Sequence, residues 1–184
     1  MKYFSFLLFL LGLLTVSGCR NDDKDPYPEL ESLPVIFPSV TATKSFYDYN
    51  QVRSSANPVF EFTIDPGNQR DIQLASIEVY KTFRRGTSVE PRILYKTVSS
   101  FPATLTIPFS DVLQNLTRTV TTNGQTTQVP FQPNFFVQRD EIVFTFEYVL
   151  TDGRRIVLTP LDGGKIQGAL ANAPYAAVAV IRVP

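Results

Sequence analysis

The chain has no histidine and no tryptophan, one cysteine and one methionine among its 184 residues. Without histidine there is no Ser-His-Asp or Cys-His nucleophile, and the commonest general base and zinc ligand are gone. A single cysteine has no partner for an internal disulfide, so stability has to come from burying apolar side chains. Without tryptophan the largest sugar-stacking ring is missing. Neither sign of charge is in excess: 17 basic residues face 17 acidic ones, which leaves no electrostatic footprint for nucleic acid. The longest apolar run, Phe4 to Val16, is interrupted by Ser5, Gly12 and Thr15. It falls short of the roughly 20 residues that a spanning helix needs.

What is present begins with a short cationic start, Met1-Lys2-Tyr3, followed by that apolar run, the pattern of a secretory signal. The run ends in Val16-Ser17-Gly18-Cys19, which resembles a bacterial lipobox. That resemblance implies that the Cys19 thiol receives a diacylglycerol, that the peptide is cut just before it, and that the new amino terminus is acylated. Two or three chains anchor stably, because each buried CH₂ contributes ~0.8 kcal/mol. The competing reading is a secreted protein with a free or buried thiol. Arg20-Asn21-Asp22-Asp23-Lys24-Asp25 resembles the acidic tract that directs lipoproteins of Bacteroidota to the outer face of the outer membrane. The plainer alternative is a solvated spacer on a periplasmic protein. The expected organisation is therefore a lipoprotein signal over 1–18, a lipidated, acidic and proline-rich tether over 19–34, and one domain over 35–184. Cleavage before Cys19 removes Lys2 from the charged residues, so 16 basic residues (17 less Lys2) would face 17 acidic ones.

The domain reads as β-structure, and its fifteen Phe and eight Tyr, less the few in the signal, are ample for a core. Residues 59–64, VFEFTI, alternate, with Phe60, Phe62 and Ile64 on one face. Residues 65–71 carry turn chemistry around Pro66-Gly67. Strands are expected over 74–83, 92–101 and 103–107, with a loop at 84–91. In PFSDVLQNL, 108–116, Ser110 is the expected N-cap of a short helical turn and Asp111 suits its positive end. Residues 118–129 form a hairpin about Asn123-Gly124, whose Thr and Gln strands have little to bury, so it should project. The strongest pattern is 140–160, where Ile142, Phe144, Phe146, Tyr148 and Leu150 share a face before the Asp152-Gly153 turn. Residues 174–183, rich in alanine and apolar on both faces, read as a buried last strand against a close neighbouring layer. Seven to nine short strands separated by turns predict an all-β, antiparallel sandwich of immunoglobulin or fibronectin type with one short helical turn.

Three stretches, Ile77 to Phe83, Leu94 to Leu113 and Asp140 to Arg154, are similar to small surface lipoproteins that accompany starch-utilisation-type outer-membrane importers of Bacteroidota. The likeness covers about half of the expected mature chain and consists of β-structure patterns with no catalytic signature. It implies an accessory role and carries over no catalytic residue.

Candidate ligand contacts are aromatic. In SFYDYN, 45–50, alternation would set Tyr47 and Tyr49 on one face as a small sugar platform, or else in the core. In FQPNFFVQRD, 131–140, adjacent Phe135 and Phe136 cannot both point inward from an ordinary strand, so one is expected as a partner contact. Arg84-Arg85 could grip a carboxylate or phosphate, with solvated loop charge as the alternative. Asp152 and Asp162 lack the carboxylate spacing of a calcium loop. Glu61, Glu78, Glu141 and Glu147 are explained as solvent-facing strand positions, and no catalytic residue, metal or cofactor is expected. The function these observations imply is a non-catalytic, lipid-anchored envelope protein at the cell surface. It would be an accessory binding or scaffold subunit for glycan uptake, with outer-membrane transport proteins or polysaccharide as partners and no nucleic acid. The alternative is a structural or adhesion module that has protein partners alone.

Overall fold

The computed structural model describes residues 35–54, 56–67 and 72–184. Cys19 and the segments 1–18 and 19–34 lie outside the described residues, as do 68–71 of the turn after Ile64. The domain is mostly β. A three-stranded sheet has the order β1 (Ser39–Val40), β3 (Val59–Ile64), β7 (Ala103–Pro108), all antiparallel. A larger sheet is built on β10 (Glu141–Leu150), which pairs along one whole edge with β4 (Leu74–Arg85). Its other edge is shared by β14 (Ala177–Arg182) and, further along, β11 (Arg155–Val157). Beyond β4 stand β6 (Ile93–Val98) and the short β5 (Ser88–Val89). Beyond β14 stands β2 (Phe46–Asp48), paired in parallel. The sheet is therefore mixed rather than wholly antiparallel, because the chain reaches β2 and β14 travelling in the same direction.

The alternating residues meet between the sheets. Phe60 lies nearly parallel to Phe144 with ring centroids 5.8 Å apart, and Phe62 contacts Phe144 at 5.5 Å and Phe146 at 6.0 Å. Ile64, Ile77, Val79, Leu105, Ile107, Ile142 and Tyr148 complete this buried layer. The alanines of β14 face it: Ala177 and Ala179 are buried, and their small side chains leave room for the aromatic rings. Burial of this aromatic layer is the main source of stability in a domain with no disulfide. On the opposite face of the larger sheet, residues 158–176 double back, with a short hairpin of β12 (Leu161–Asp162) and β13 (Lys165–Ile166), and cover Val143 with Ile166, Ala171 and Ala176.

Among the described residues two short α-helical turns are found where the sequence predicts one. Phe109–Leu113 begins after Pro108, and Ser110 does not cap it. Instead the Ser110 amide donates to Asn57 Oδ1 at 2.7 Å, so the cap comes from another part of the chain. The second turn, Tyr49–Arg53, is capped by Asp48, whose carboxylate accepts from the amides of Asn50 and Gln51. The Thr-rich hairpin forms a separate ribbon of β8 (Thr117–Thr122) and β9 (Gln125–Pro130), with Asn123 and Gly124 both at positive φ (53° and 76°) as the tight turn requires.

Strand register gives the domain two distinct ends. Val35–Phe37, the ends of β3 and β10 and the starts of β4 and β7 lie at one. The Gly86 turn, both helical turns, the root of the β8–β9 ribbon and residues 133–140 lie at the other.

Candidate functional site

The Gly86 end is where the loops concentrate. β4 runs to Arg85, turns at Gly86 (φ 57°) and returns as β5. The chain doubling back over the sheet brings Lys165–Gly168, Ala171 and Asn172 alongside that turn. Between them lies a groove of about 490 Å³, floored by Arg84 and walled by Thr87, Ser88 and Gln167. Arg84 is fixed there. Its Nε donates to Glu141 Oε2 at 2.5 Å and its Nη1 to Asn172 Oδ1 at 2.8 Å. Hydroxyls, amides and one ammonium in an open groove offer donors and acceptors suited to a polyhydroxylated or weakly anionic ligand. A second hollow at the same end, about 300 Å³, is apolar and lined by Val52, Phe109, Leu113 and Pro133.

The neighbouring Arg85 points the other way. Its Nε and Nη2 hold both oxygens of the buried Asp140 at 2.7 Å, and Nη2 also donates to the Phe135 carbonyl. The Asp140 hydrogen bonds raise the Arg85 pKa above its usual value. Asp140 Oδ2 further accepts from the Val137 amide at 2.8 Å, which ties down the 133–140 loop. Both arginines thus lie in strand β4 and are committed to the protein's own carboxylates, in contrast to the free anion grip or solvated loop charge their sequence suggests.

The four aromatic candidates are placed unequally. Tyr47 is fully buried, edge-on to Phe109 at 5.1 Å, and its hydroxyl donates to the Ile107 carbonyl at 3.0 Å. Burial pushes its phenol pKa well up. Tyr49 opens the helical turn and packs partly buried against the same core. The predicted platform is therefore corrected: Asp48 ends the strand by capping a helix, so Tyr47 and Tyr49 do not alternate onto one exposed face. Phe136 is also fully buried, in a cluster with Phe83, Phe109 and Phe131. Phe135 is the half-buried member of the pair. Its ring lies between two guanidinium groups, Arg85 at 4.3 Å and Arg118 at 4.2 Å. A 3₁₀ turn over Pro133–Phe135 lets both adjacent rings reach the same Phe83–Phe131 cluster, where an extended strand would send them to opposite faces.

The glutamates predicted to face solvent are bonded instead. Glu78 and Glu147 stand directly opposite each other in the β4–β10 ladder. That like-charge pair would be unfavourable on its own. Arg155 donates to both, Arg92 donates to Glu147 at 2.7 Å and stacks 3.9 Å over Tyr80, and the Tyr80 hydroxyl donates to Glu78. Hydrogen bonding to Tyr80, then to Arg155, lowers the Glu78 pKa. Glu61 accepts from Lys44, Thr106 and Thr41, which brings its pKa down to about 2. These are cross-strand ties. Lys81 is the unusual cation. It is buried on the inner face and donates to the carbonyls of Asp111 and Gln114 at 2.6 and 2.7 Å, and burial lowers its pKa to about 8. Its position beneath the Phe109–Leu113 turn makes it a support for that turn.

Asp152 accepts from the Arg154 amide and Asp162 from the Gln167 side chain, each within its own loop. Among the described residues no three His, Cys, Asp or Glu side chains gather as a metal site. No described helix is long and apolar enough to cross a membrane. The groove at the Gly86 end was not legible in sequence, because residues 84–89 and 165–172 meet through tertiary packing; Arg84 and the two glycines, Gly86 and Gly168, were its sole local marks. Compared with known proteins, the chain matches no family model, no curated protein and no solved structure.

Proposed function

We propose that this is a lipid-anchored, non-catalytic envelope protein. Cys19 holds it to the outer membrane at the cell surface, where it serves an outer-membrane nutrient-uptake system, with glycans as the cargo class, as an accessory binding or scaffold subunit. The observation that carries the reading is Val16-Ser17-Gly18-Cys19 at the close of a short apolar run, directly followed by an acidic tract. The two-ended domain supports it. The chain from Cys19 joins at Val35, while the Gly86 turn that forms one side of the polar groove and the root of the β8–β9 ribbon belong to the opposite end, so anchoring leaves them free to meet other molecules. Within the same reading the two sheets are a sandwich of immunoglobulin or fibronectin type, which the Phe60–Phe144 contact between their inner faces supports.

The second reading, a structural or adhesion module with protein partners alone, is favoured by the ribbon, whose threonine-rich faces bury little of their own. Two experiments test the proposal. Cys19→Ser should move the protein from the membrane pellet to the soluble fraction, and a variant that still pellets would refute the anchoring. The full-length protein in mild detergent should be retarded in gels containing polysaccharide, or should co-purify with an outer-membrane transporter after cross-linking. Retardation lost on Asn172→Ala with Lys165→Ala would assign the groove. Neither retardation nor a transporter would refute the uptake role, and capture of a different surface protein through the ribbon would establish the second reading.

A further inference from the structure

The Val35 end carries an exposed aromatic pair. Phe37 is 55 % exposed and Tyr175 36 %, with ring centroids 5.4 Å apart. Val35, 44 % exposed, extends the patch, and together with Leu158, Leu170 and Tyr175 it lines a shallow apolar hollow. The arrangement is held in place. Ile36, between the two exposed residues, is buried, and its amide donates to the Tyr148 hydroxyl at 2.9 Å. Alternation about that fixed point directs Val35 and Phe37 outward. Tyr175 is set by its amide's bond to the Asn172 carbonyl at 2.9 Å, at the close of the segment covering the larger sheet.

The geometry points to a second contact with the membrane: Phe37 and Tyr175, flanked by Val35, rest in the headgroup region of the bilayer in which the Cys19 lipid is embedded. This rests on the anchoring proposed above. Val35 follows Cys19 by 16 positions (35 − 19), a length of chain that spans at most about 55 Å when fully extended. The patch sits where that tether enters the domain, so it is the surface nearest the point of attachment along the chain. Its chemistry suits an interface: uncharged rings, one carrying a hydroxyl, are the side chains enriched where hydrocarbon meets water. Anchoring also makes the contact intramolecular, so an intrinsically weak contact is populated. A bound domain would keep its Val35 end down and its Gly86 end out.

The chain has no tryptophan, so one introduced indole is a unique reporter. Acylated full-length Phe37→Trp and, separately, Tyr175→Trp would be reconstituted into neutral phosphatidylcholine vesicles with ordinary or brominated acyl chains. The control is Leu94→Trp, at a residue 50 % exposed on β6, away from the patch. Both patch reporters should shift to shorter wavelength and lose at least half of their emission in brominated vesicles, in 1 M salt as at low salt, while the Leu94→Trp control is unchanged. Intact mass reads acylation independently. Acylated protein whose patch reporters remain unquenched overturns this contact alone. Equal quenching of all three reporters overturns it too, because the domain then lies without a preferred face. A response of the patch reporters to soluble polysaccharide in place of lipid makes the pair a sugar platform and also overturns it. Absence of the acyl mass refutes the anchoring and this contact together.

Discussion

The two ends of this domain are built on opposite plans. At the Gly86 end apolar rings and cations are locked together. Phe83, Phe109, Phe131 and Phe136 interleave, Phe135 lies between Arg85 and Arg118, and Asp140 is held by three hydrogen bonds. At the Val35 end the leading chain is held by the buried Ile36, whose amide donates to the Tyr148 hydroxyl, and its rings face outward. The difference shows where order is invested. Loops that must present a groove and a ribbon need a rigid base. A segment joining an anchor needs its path set at one point, with its apolar side chains left available.

The comparison breaks first at the aromatic cluster. Phe136→Ala should lower unfolding free energy by about 3–5 kcal/mol in urea titration, because it opens a cavity under the 133–140 loop. A loss below ~1 kcal/mol would mean that this end is not locked by its rings. Lys81 supplies the next test. Its folded-state pKa of about 8 lies below the usual 10.5. Between these values the unfolded chain binds the extra proton, so this group makes stability rise with pH across the window and is neutral to it above and below. Relative to Lys81→Met, the wild type should gain up to about 3 kcal/mol from pH 8 to 10.5. A flat difference would show that the ammonium is not desolvated by the Phe109–Leu113 turn.

Smaller effects sharpen the contrast. Tyr148→Phe removes the acceptor of the Ile36 amide at the Val35 end. It should cost about 1 kcal/mol in global stability while raising hydrogen exchange of the Ile36 amide by tenfold or more. Unchanged exchange would show that the Tyr148 hydroxyl does not hold the leading chain. Replacing residues 119–128 with Asn-Gly keeps the Arg118–Val129 pair next to the new turn. Stability should change by no more than ~0.5 kcal/mol, whereas cross-linking to an envelope partner should be lost. A larger loss would mean that the ribbon is part of the fold and not an appendage.

Much of the β framework was legible because its signals are local. Alternation in 59–64 and 142–150 sets which side chain faces inward whatever the partner strand, and Asn123-Gly124 selects a hairpin by backbone sterics alone. Readings failed where a distant residue intervened. Ser110 has the right chemistry for a cap, but Asn57 arrives from another loop and takes the amide. Tyr47 and Tyr49 alternate on paper, but Asp48 accepts two amides and turns the strand into a helix between them. Glu78 and Glu147 resemble solvent-facing positions until register sets them opposite each other and Arg155 bridges them. The expected aromatic site was drawn from clustered rings, yet the exposed pair, Phe37 and Tyr175, is 138 positions apart (175 − 37) and has no local mark.

By itself the sequence determined that the domain would be mostly β, that it would be held by aromatic burial without disulfide or histidine chemistry, and which hairpins would close. These properties depend on side-chain period, turn sterics and composition, all of which act within a few residues. Tertiary structure alone decided which rings are core and which are surface, that Arg84 and Arg85 serve the fold, and that the Gly86 turn and the leading chain lie at opposite ends. Those outcomes depend on strand order and register, which bring together charges and rings from far apart in the chain, and no short window of sequence encodes that meeting.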